Sequence, residues 1–510
     1  MFGVNLLKRN LTISGLLLIL ATLILKFSGL LRDMVLAYYF GDSNEASAYL
    51  VAFILPNIFI LFFATGMKNS FVPSYILATI NNKSEHHFSQ IMRVTTIFGL
   101  SVTAIGIVFS PIILPRMYPD FNAETIQLTI TVATIFFVSI TFSAMNSVYE
   151  AYLDAEGRYS ISVFSQTIVI TSSILSAILF SQQIGIYAFA YGYLVGAILS
   201  FLIKRFFFIP KNSHIIGGKL DKNEIKPFVM IFIPVGITVM VGQVNLIIDT
   251  IFAGQFAEQA VSYLNYAKNI VHFPQAIIGV TIGTIIFPVL SKAVANKDKQ
   301  QFNSSVEKGL MLTLFLILPA IAGMMLLMEE LIEIIYQRGA FTAQAASATA
   351  TVAYFYVGSV LFFSLQNTIN KAFYAKQNGH IILRISIFSV FLNIALNFLF
   401  IYWLKSYIGI PLASSVMAAV YFGLNIIVYQ KTEDRLNWTY LTKSTAKVLL
   451  SLGIMIAILM LLSTLLKDMH PIVNILSTSI IGAIVYLSSS YILKIDVFSD
   501  VVKRFMKRSV

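Results

Sequence analysis

The chain has 510 residues, of which 57% are hydrophobic and 11% charged, with a mean hydropathy of +0.82. A soluble domain carries about 25% charged residues, so this composition excludes a water-soluble globular protein. Cysteine is absent, which excludes disulfides, thiolate metal sites and cysteine nucleophiles. The net charge of +12 reads as membrane topology and attraction to anionic lipid, with no nucleic-acid partner expected.

Apolar runs of about 20 residues, each able to cross a ~30 Å hydrocarbon core, recur along the chain. In lipid every backbone N–H and C=O must be satisfied internally, so these runs are expected to be helices. In chain order they fall at 11–37, 47–74, 91–113, 123–149, 159–181, 184–206, 227–255, 262–290, 308–335, 345–372, 381–404, 408–430, 444–466 and 471–493. The first contains Lys26 and lacks a small-residue cleavage site, so it is expected to be a span rather than a removable signal peptide.

The connections between spans differ in charge by side. One side gathers 27 of the 35 basic residues, including Lys8, Lys83, Arg158, Lys204, Arg205, Lys211, Lys222, Lys431 and Lys494. The other holds Arg116, Arg338, Lys405 and Lys467. Cationic loops stay cytoplasmic, so a multi-pass protein with both termini in the cytoplasm is expected.

The spans divide into two halves. NSVYEAYLDAEGRYSI, from Asn146, resembles NTINKAFYAKQNGHI, from Asn367, and each closes the fourth span of its half. Asp33, in GLLRDMVLAYYFG, falls opposite Asp249, in NLIIDTIFAG, at an offset of 216 residues. Chance similarity between two helix ends is the alternative. A parallel repeat would place a substrate between the halves near the midplane. The expected fold class is an all-α polytopic membrane protein of about fourteen transmembrane helices, with two pseudo-repeated six-helix lobes plus two C-terminal helices. The corresponding segments are an N-terminal lobe at 1–206, a cytoplasmic linker at 207–226 and a C-terminal lobe at 227–430. A cytoplasmic loop at 431–443, helices 13 and 14 at 444–493 and a basic cytoplasmic tail at 494–510 follow.

Four basic residues, Lys26, Arg32, Lys68 and Lys268, lie inside spans or near their ends, together with Asp33 and Asp249. A charge at mid-bilayer costs roughly 2.5–3.5 kcal/mol on insertion scales, so such residues face a cavity or one another. All six fall in the first two spans of a half. A cavity they line is cationic and suits an anionic substrate, above all phosphate. Snorkelling to an interface is the alternative for each lysine, and a local ion pair is the alternative for Arg32 and Asp33.

No phosphate-binding GxxxxGK[ST], HExxH, GxSxG or GxGxxG motif is present. No enzyme activity, cofactor or metal is expected. Of the six histidines, the adjacent His86 and His87 are expected in a solvated loop. Transport would draw on a coupling ion, membrane potential or substrate flux.

GLLRDMVLAYYFG, AYLVAFILPNIF and GMKNSFVPSY together resemble the opening of the MurJ (MviN) lipid II flippase family. That family belongs to the superfamily that also holds polysaccharide-precursor flippases and MATE exporters. The resemblance continues in NLIIDTIFAGQF, YAKNIVHFPQAIIGVTIGTIIFPVLSK, QRGAFTAQ and KAFYAKQNG, and so covers most of spans 1–12. It implies fourteen spans in a bacterial cytoplasmic membrane. It also implies export of a lipid-linked glycan pyrophosphate, the peptidoglycan precursor lipid II, by alternating access. Cations on helices 1, 2 and 8 would hold the pyrophosphate. Lys26 matches a family basic position, and Arg32 with Asp33 matches the family's Arg-Asp pair.

Elsewhere the sequence departs from the pattern. An acid of the family falls on Ser47, with Glu45 two residues earlier. An arginine falls near Ile60 or Leu61, a second acid on Thr65, and the arginine of helix 8 on Asn269, beside Lys268. The departures leave open another undecaprenyl-linked precursor as substrate. A MATE-like multidrug exporter is the third alternative, although exporters of cationic drugs want acidic walls.

Overall fold

The computed structural model describes residues 2–209, 219–432, 435–466 and 469–499. Parts of the expected linker and tail, with Lys211, Lys503, Arg504, Lys507 and Arg508, lie outside the described residues, as does Lys467. The described chain forms sixteen named helices. The first seven are α1 (Phe2–Phe40), α2 (Asn44–Ile80), α3 (Ser84–Met117), α4 (Ala123–Ala155), α5 (Tyr159–Ile184), α6 (Tyr187–Phe207) and α7 (Lys222–Gly254). Then come α8 (Glu258–Val271), α9 (Phe273–Ala295), α10 (Lys299–Leu326), α11 (Met328–Tyr336) and α12 (Ala343–Ala375). The last four are α13 (Gly379–Leu404), α14 (Gly409–Thr432), α15 (Trp438–Leu466) and α16 (Pro471–Ile492).

Twelve helices among the described residues are long and apolar enough to cross a membrane. The 39-residue α1 and the α8–α9 pair lie where the other two of the fourteen expected spans fall. The eighth span is therefore broken, and the sequence says why. Pro274 sits at the start of α9 without an N–H to continue the ladder. At the break His272 bridges Gln275 Oε1 (2.6 Å) and Ser359 Oγ (3.2 Å).

Local sequence sets the helix starts. Ser43, Asn122, Asp221 and Asp298 precede α2, α4, α7 and α10, and each side chain accepts a backbone N–H of the first turn. These caps satisfy donors that have no partner within the helix.

The chain packs as two compact units, Met1–Ser262 with Arg338–Thr342, and Tyr263–Gln337 with Ala343–Val510. In the first unit α2 lies against α4 and α7, α5 against α6 and α1, and α3 against α4. In the second, α12 lies against α14, α9 and α10, α13 against α14, and α15 against α16 and α10. Packing thus groups α7 with α2 in the first unit.

The α2–α7 seam is built from two glycines and two phenylalanines. A Cβ on Gly66 would meet Phe232 Cε2 at 2.9 Å, and a Cβ on Gly236 would overlap the ring of Phe62. Each helix therefore offers a ring and, four residues on, a socket for its neighbour's ring. Lipid tails are as apolar as these side chains, so close packing and small residues, rather than expulsion of water, hold such helices together. The Phe62 and Phe232 rings meet edge-on, with centroids 5.0 Å apart.

Candidate functional site

Arg32 lies on α1 with its Nε (3.1 Å) and Nη2 (2.8 Å) both donating to Asp33 Oδ1. The Asp33 side chain is 2% exposed and that of Arg32 is 19% exposed. Consecutive helix residues point about 100° apart, so the long guanidinium stem folds back to reach its neighbour. The guanidinium carbon also lies 6.0 Å from the centre of the Phe53 ring on α2, at the outer limit of a cation–π contact. The Arg-Asp pair is thus a local ion pair on a side chain that stays partly exposed.

Lys68, on α2, donates from Nζ to Asp154 Oδ2 of α4 at 3.2 Å, with the lysine side chain 33% exposed. Fifteen residues of α2 separate it from Phe53, a helical rise of about 22 Å. Arg32 and Lys68 are therefore not one cluster but two stations at different levels of the first unit. Lys26 lies six residues before Arg32 on α1, about 9 Å along the axis. It is exposed, with no ion pair or hydrogen bond among the described residues. Asp249 is buried on α7 of the same unit. Lys268 belongs to the second unit, in the last turn of α8, where both it and Asn269 are half-buried.

Beside Lys68 stands a second ion pair that the sequence reading missed. Lys204 Nζ of α6 donates to Glu150 Oε1 of α4 at 2.8 Å, and Gln166 Nε2 of α5 donates to Glu150 Oε2 at 2.8 Å. Lys204, counted with the loop residues in the sequence, is fully buried. Glu150 and Asp154 are one helical turn apart on α4, so the Lys204–Glu150 and Lys68–Asp154 pairs lie on neighbouring turns of that helix. A signal was available in the sequence: two acids at i and i+4, inside NSVYEAYLDAEG, lie on one face of an apolar span.

The histidine expectation is corrected. His86 is exposed, but His87 is buried, because α3 begins at Ser84 and carries it inward. Its Nδ1 meets Glu224 Oε1 of α7 at 2.6 Å, its Nε2 meets Ser74 Oγ of α2 at 3.0 Å, and its ring stacks on Phe71. His86 meets Asp221 Oδ2 at 3.4 Å. Two neighbouring histidines thus reach two acids at the start of α7.

Comparison with known proteins agrees with this architecture. The sequence profile of the family lipid II flippase MurJ matches residues 36–479. "Probable lipid II flippase MurJ" of Rickettsia prowazekii (strain Madrid E) is 28% identical over 500 residues, covering 94% of this chain and 97% of that protein. A solved structure of lipid II flippase MurJ in an inward closed conformation superimposes with a TM-score of 0.82 at 24% identity. It covers 96% of this chain and 100% of the other. An inward-facing MATE family multidrug resistance transporter of the MOP superfamily gives a TM-score of 0.70 at 14% identity, over 80% of this chain and 96% of the other. At these identities the two structures establish a shared fold.

Proposed function

The chain belongs to the lipid II flippase MurJ family, and from that premise we propose that it moves lipid II from the inner to the outer leaflet of a bacterial cytoplasmic membrane. The transport proceeds by alternating access, and the anionic pyrophosphate is met by cations set inside the spans. The observation that carries this reading is the pair of accessible cations in the first unit. Arg32 and Lys68 stand in helices otherwise built for lipid, and each keeps part of its side chain exposed. An exposed cation in an apolar span is costly unless it serves an aqueous or ligand-filled space.

On this reading Lys26, Arg32 and Lys68 of the first unit, and Lys268 of the second, meet the pyrophosphate at separate steps of its passage, while Asp33 and Asp249 tune the cations of the first unit. The function calls for no hydrolytic step, cofactor or metal, and the energy comes from a coupling ion or the membrane potential. The excess of basic residues on one set of loops supports cytoplasmic termini. The MATE-like fold does not carry an exporter reading, because cation-lined walls repel cationic drugs.

The test is complementation. A host depleted of its own lipid II flippase should regain growth when this chain is expressed. A chain that inserts in the membrane at normal levels yet leaves the cells to lyse would overturn the proposal. Export of another undecaprenyl-linked glycan would then be tested in hosts blocked in that step.

A further inference from the structure

From the geometry around Lys68 we infer that Asp154 is a positioning residue for transport, the resting counter-ion that a substrate phosphate must displace from Lys68. The inference rests on the proposed pyrophosphate substrate and names a device that this reading does not contain.

Three observations carry it. First, Asp154 is the acid left available to Lys68. Glu150, one turn away, has both carboxylate oxygens engaged by Lys204 and Gln166 at 2.8 Å, so it already has its cation. Second, Asp154 depends on Lys68. Its Oδ2 holds the lysine at 3.2 Å. Its Oδ1 is buried, with no cation on it among the described residues and only the Ser162 hydroxyl nearby. Third, the two partners differ in access. The Lys68 side chain is 33% exposed and that of Asp154 is 11% exposed, so a ligand can reach the cation while the carboxylate stays behind it.

The energetics follow from that asymmetry. A phosphate oxygen at Lys68 makes a charge-assisted contact but leaves a buried carboxylate without its cation, which is expensive. Affinity at Lys68 is therefore the difference between two strong terms and stays modest. A carrier needs such a site, because binding must be favourable enough to load and weak enough to release. Return of Lys68 to Asp154 then helps to expel the pyrophosphate toward the Arg32 level, about 22 Å away along α2. The same arrangement recurs there, since Arg32 is paired with buried Asp33.

The experiment measures binding of undecaprenyl pyrophosphate, with undecaprenol as control, to the purified full chain in nanodiscs, alongside complementation. Asp154→Asn should bind the pyrophosphate lipid roughly threefold to tenfold more tightly, at most about one decade, while supporting slower growth. Lys68→Ala in the same background should abolish the gain. A structural ion pair alone would instead lower the melting temperature of Asp154→Asn and leave or weaken its affinity, and that result overturns the inference. Persistence of the gain without Lys68 also overturns it. Asp154→Ser, which removes the charge in a smaller volume, reads the same contrast if the amide fails to fold. If the wild-type protein binds both lipids equally, the proposed substrate fails. If it prefers the pyrophosphate and removal of the Asp154 charge changes nothing, the counter-ion role alone fails.

Discussion

Lys204 Nζ lies 2.8 Å from Glu150 Oε1, with the two side chains 0% and 7% exposed. A buried ion pair gains little net stability over an apolar pair of the same shape, because desolvation offsets the Coulomb attraction. What it does is make each partner indispensable to the other, and it locks the ends of α4 and α6 in one register, with α5 joined through Gln166. Removing one charge should therefore be worse than removing both. Lys204→Met alone should destabilise the first unit by about 3–5 kcal/mol, read as a large drop in melting temperature in detergent. Glu150→Leu with Lys204→Met should recover most of that loss. A double variant that melts lower than either single variant, by the sum of their separate losses, would show that the pair is not coupled.

The glycine sockets of the α2–α7 seam make a prediction about size. Gly236 receives the Phe62 ring and Gly66 receives that of Phe232, and an added methyl has nowhere to go in a packed interface. Gly236→Ala should cost about 1–3 kcal/mol by overpacking, and Phe62→Leu in the same chain should relieve part of it. Gly66→Ala should be milder, because its clash is with the ring edge at 2.9 Å. Thermal melting of the three variants ranks them. A neutral Gly236→Ala would mean that the seam is looser than its geometry.

Much of this fold is legible in the sequence because lipid leaves the backbone few choices. Long apolar runs must be helices, and their count follows from length alone. The break at His272 is legible in Pro274 once one asks where the ladder loses a donor. The site is less legible. Lys26, Arg32, Lys68 and Lys268 stand out as charges in apolar spans, but the acid partners of Lys68 and of the overlooked Lys204 lie far along the chain. Asp154 is 86 positions from Lys68 and Lys204 is 54 from Glu150. Loop lysines and membrane-end lysines look alike in sequence, so Lys204 reads as topology until α4 and α6 are placed side by side. His87 reads as solvent-exposed for the same reason, since Glu224 is 137 residues away.

Asp221 gives a pH dependence outside the spans. Its carboxylate accepts the backbone N–H of Asn223 at 2.9 Å to cap α7. That hydrogen bond, assisted by His86, holds Asp221 below its usual range. A depressed acid contributes stability that is present above its unfolded value, near 3.9, and is lost as pH falls through the folded value. Asp221→Ala should therefore melt earlier than wild type at pH 7, and the difference should shrink in acid below about pH 3.9. Asp221→Asn keeps an acceptor for the cap, so it should lose the pH dependence and little else. A gap between alanine and wild type that is constant from pH 7 to pH 3 would rule out the carboxylate as its source.

Lys268 tests whether charge or shape matters on α8. It sits beside Asn269, where the family places an arginine, and one step around a helix is about 100°. If the cation is what transport needs, Lys268→Arg should complement a depleted host and Lys268→Gln should not. Asn269→Arg should then restore growth to Lys268→Gln, because it returns the charge to the family position. Growth of Lys268→Gln at wild-type rate, with normal expression, would assign Lys268 to the membrane interface instead.

Arg32 is the sharpest test of the proposed function, because its ion pair is local and its loss should not unmake the fold. The Arg32–Asp33 contact joins two consecutive residues of one helix, so no distant element relies on it for position. Arg32→Ala should therefore reach the membrane in normal amount and melt within a few degrees of wild type. It leaves Asp33 as a buried acid without its guanidinium. Growth, however, should fail in a host depleted of its own flippase, since a phosphate-facing charge would be gone. Arg32→Lys should restore the charge but not the forked, two-nitrogen geometry that matches a phosphate, so growth should return only in part. Combining Arg32→Ala with Asp33→Asn separates the two roles. If the defect were only the loss of Asp33's guanidinium partner, the double variant would grow, whereas a missing substrate contact leaves it dead. Normal growth of Arg32→Ala would remove Arg32 from the substrate path and shift the substrate contact to Lys68 and its acid partner.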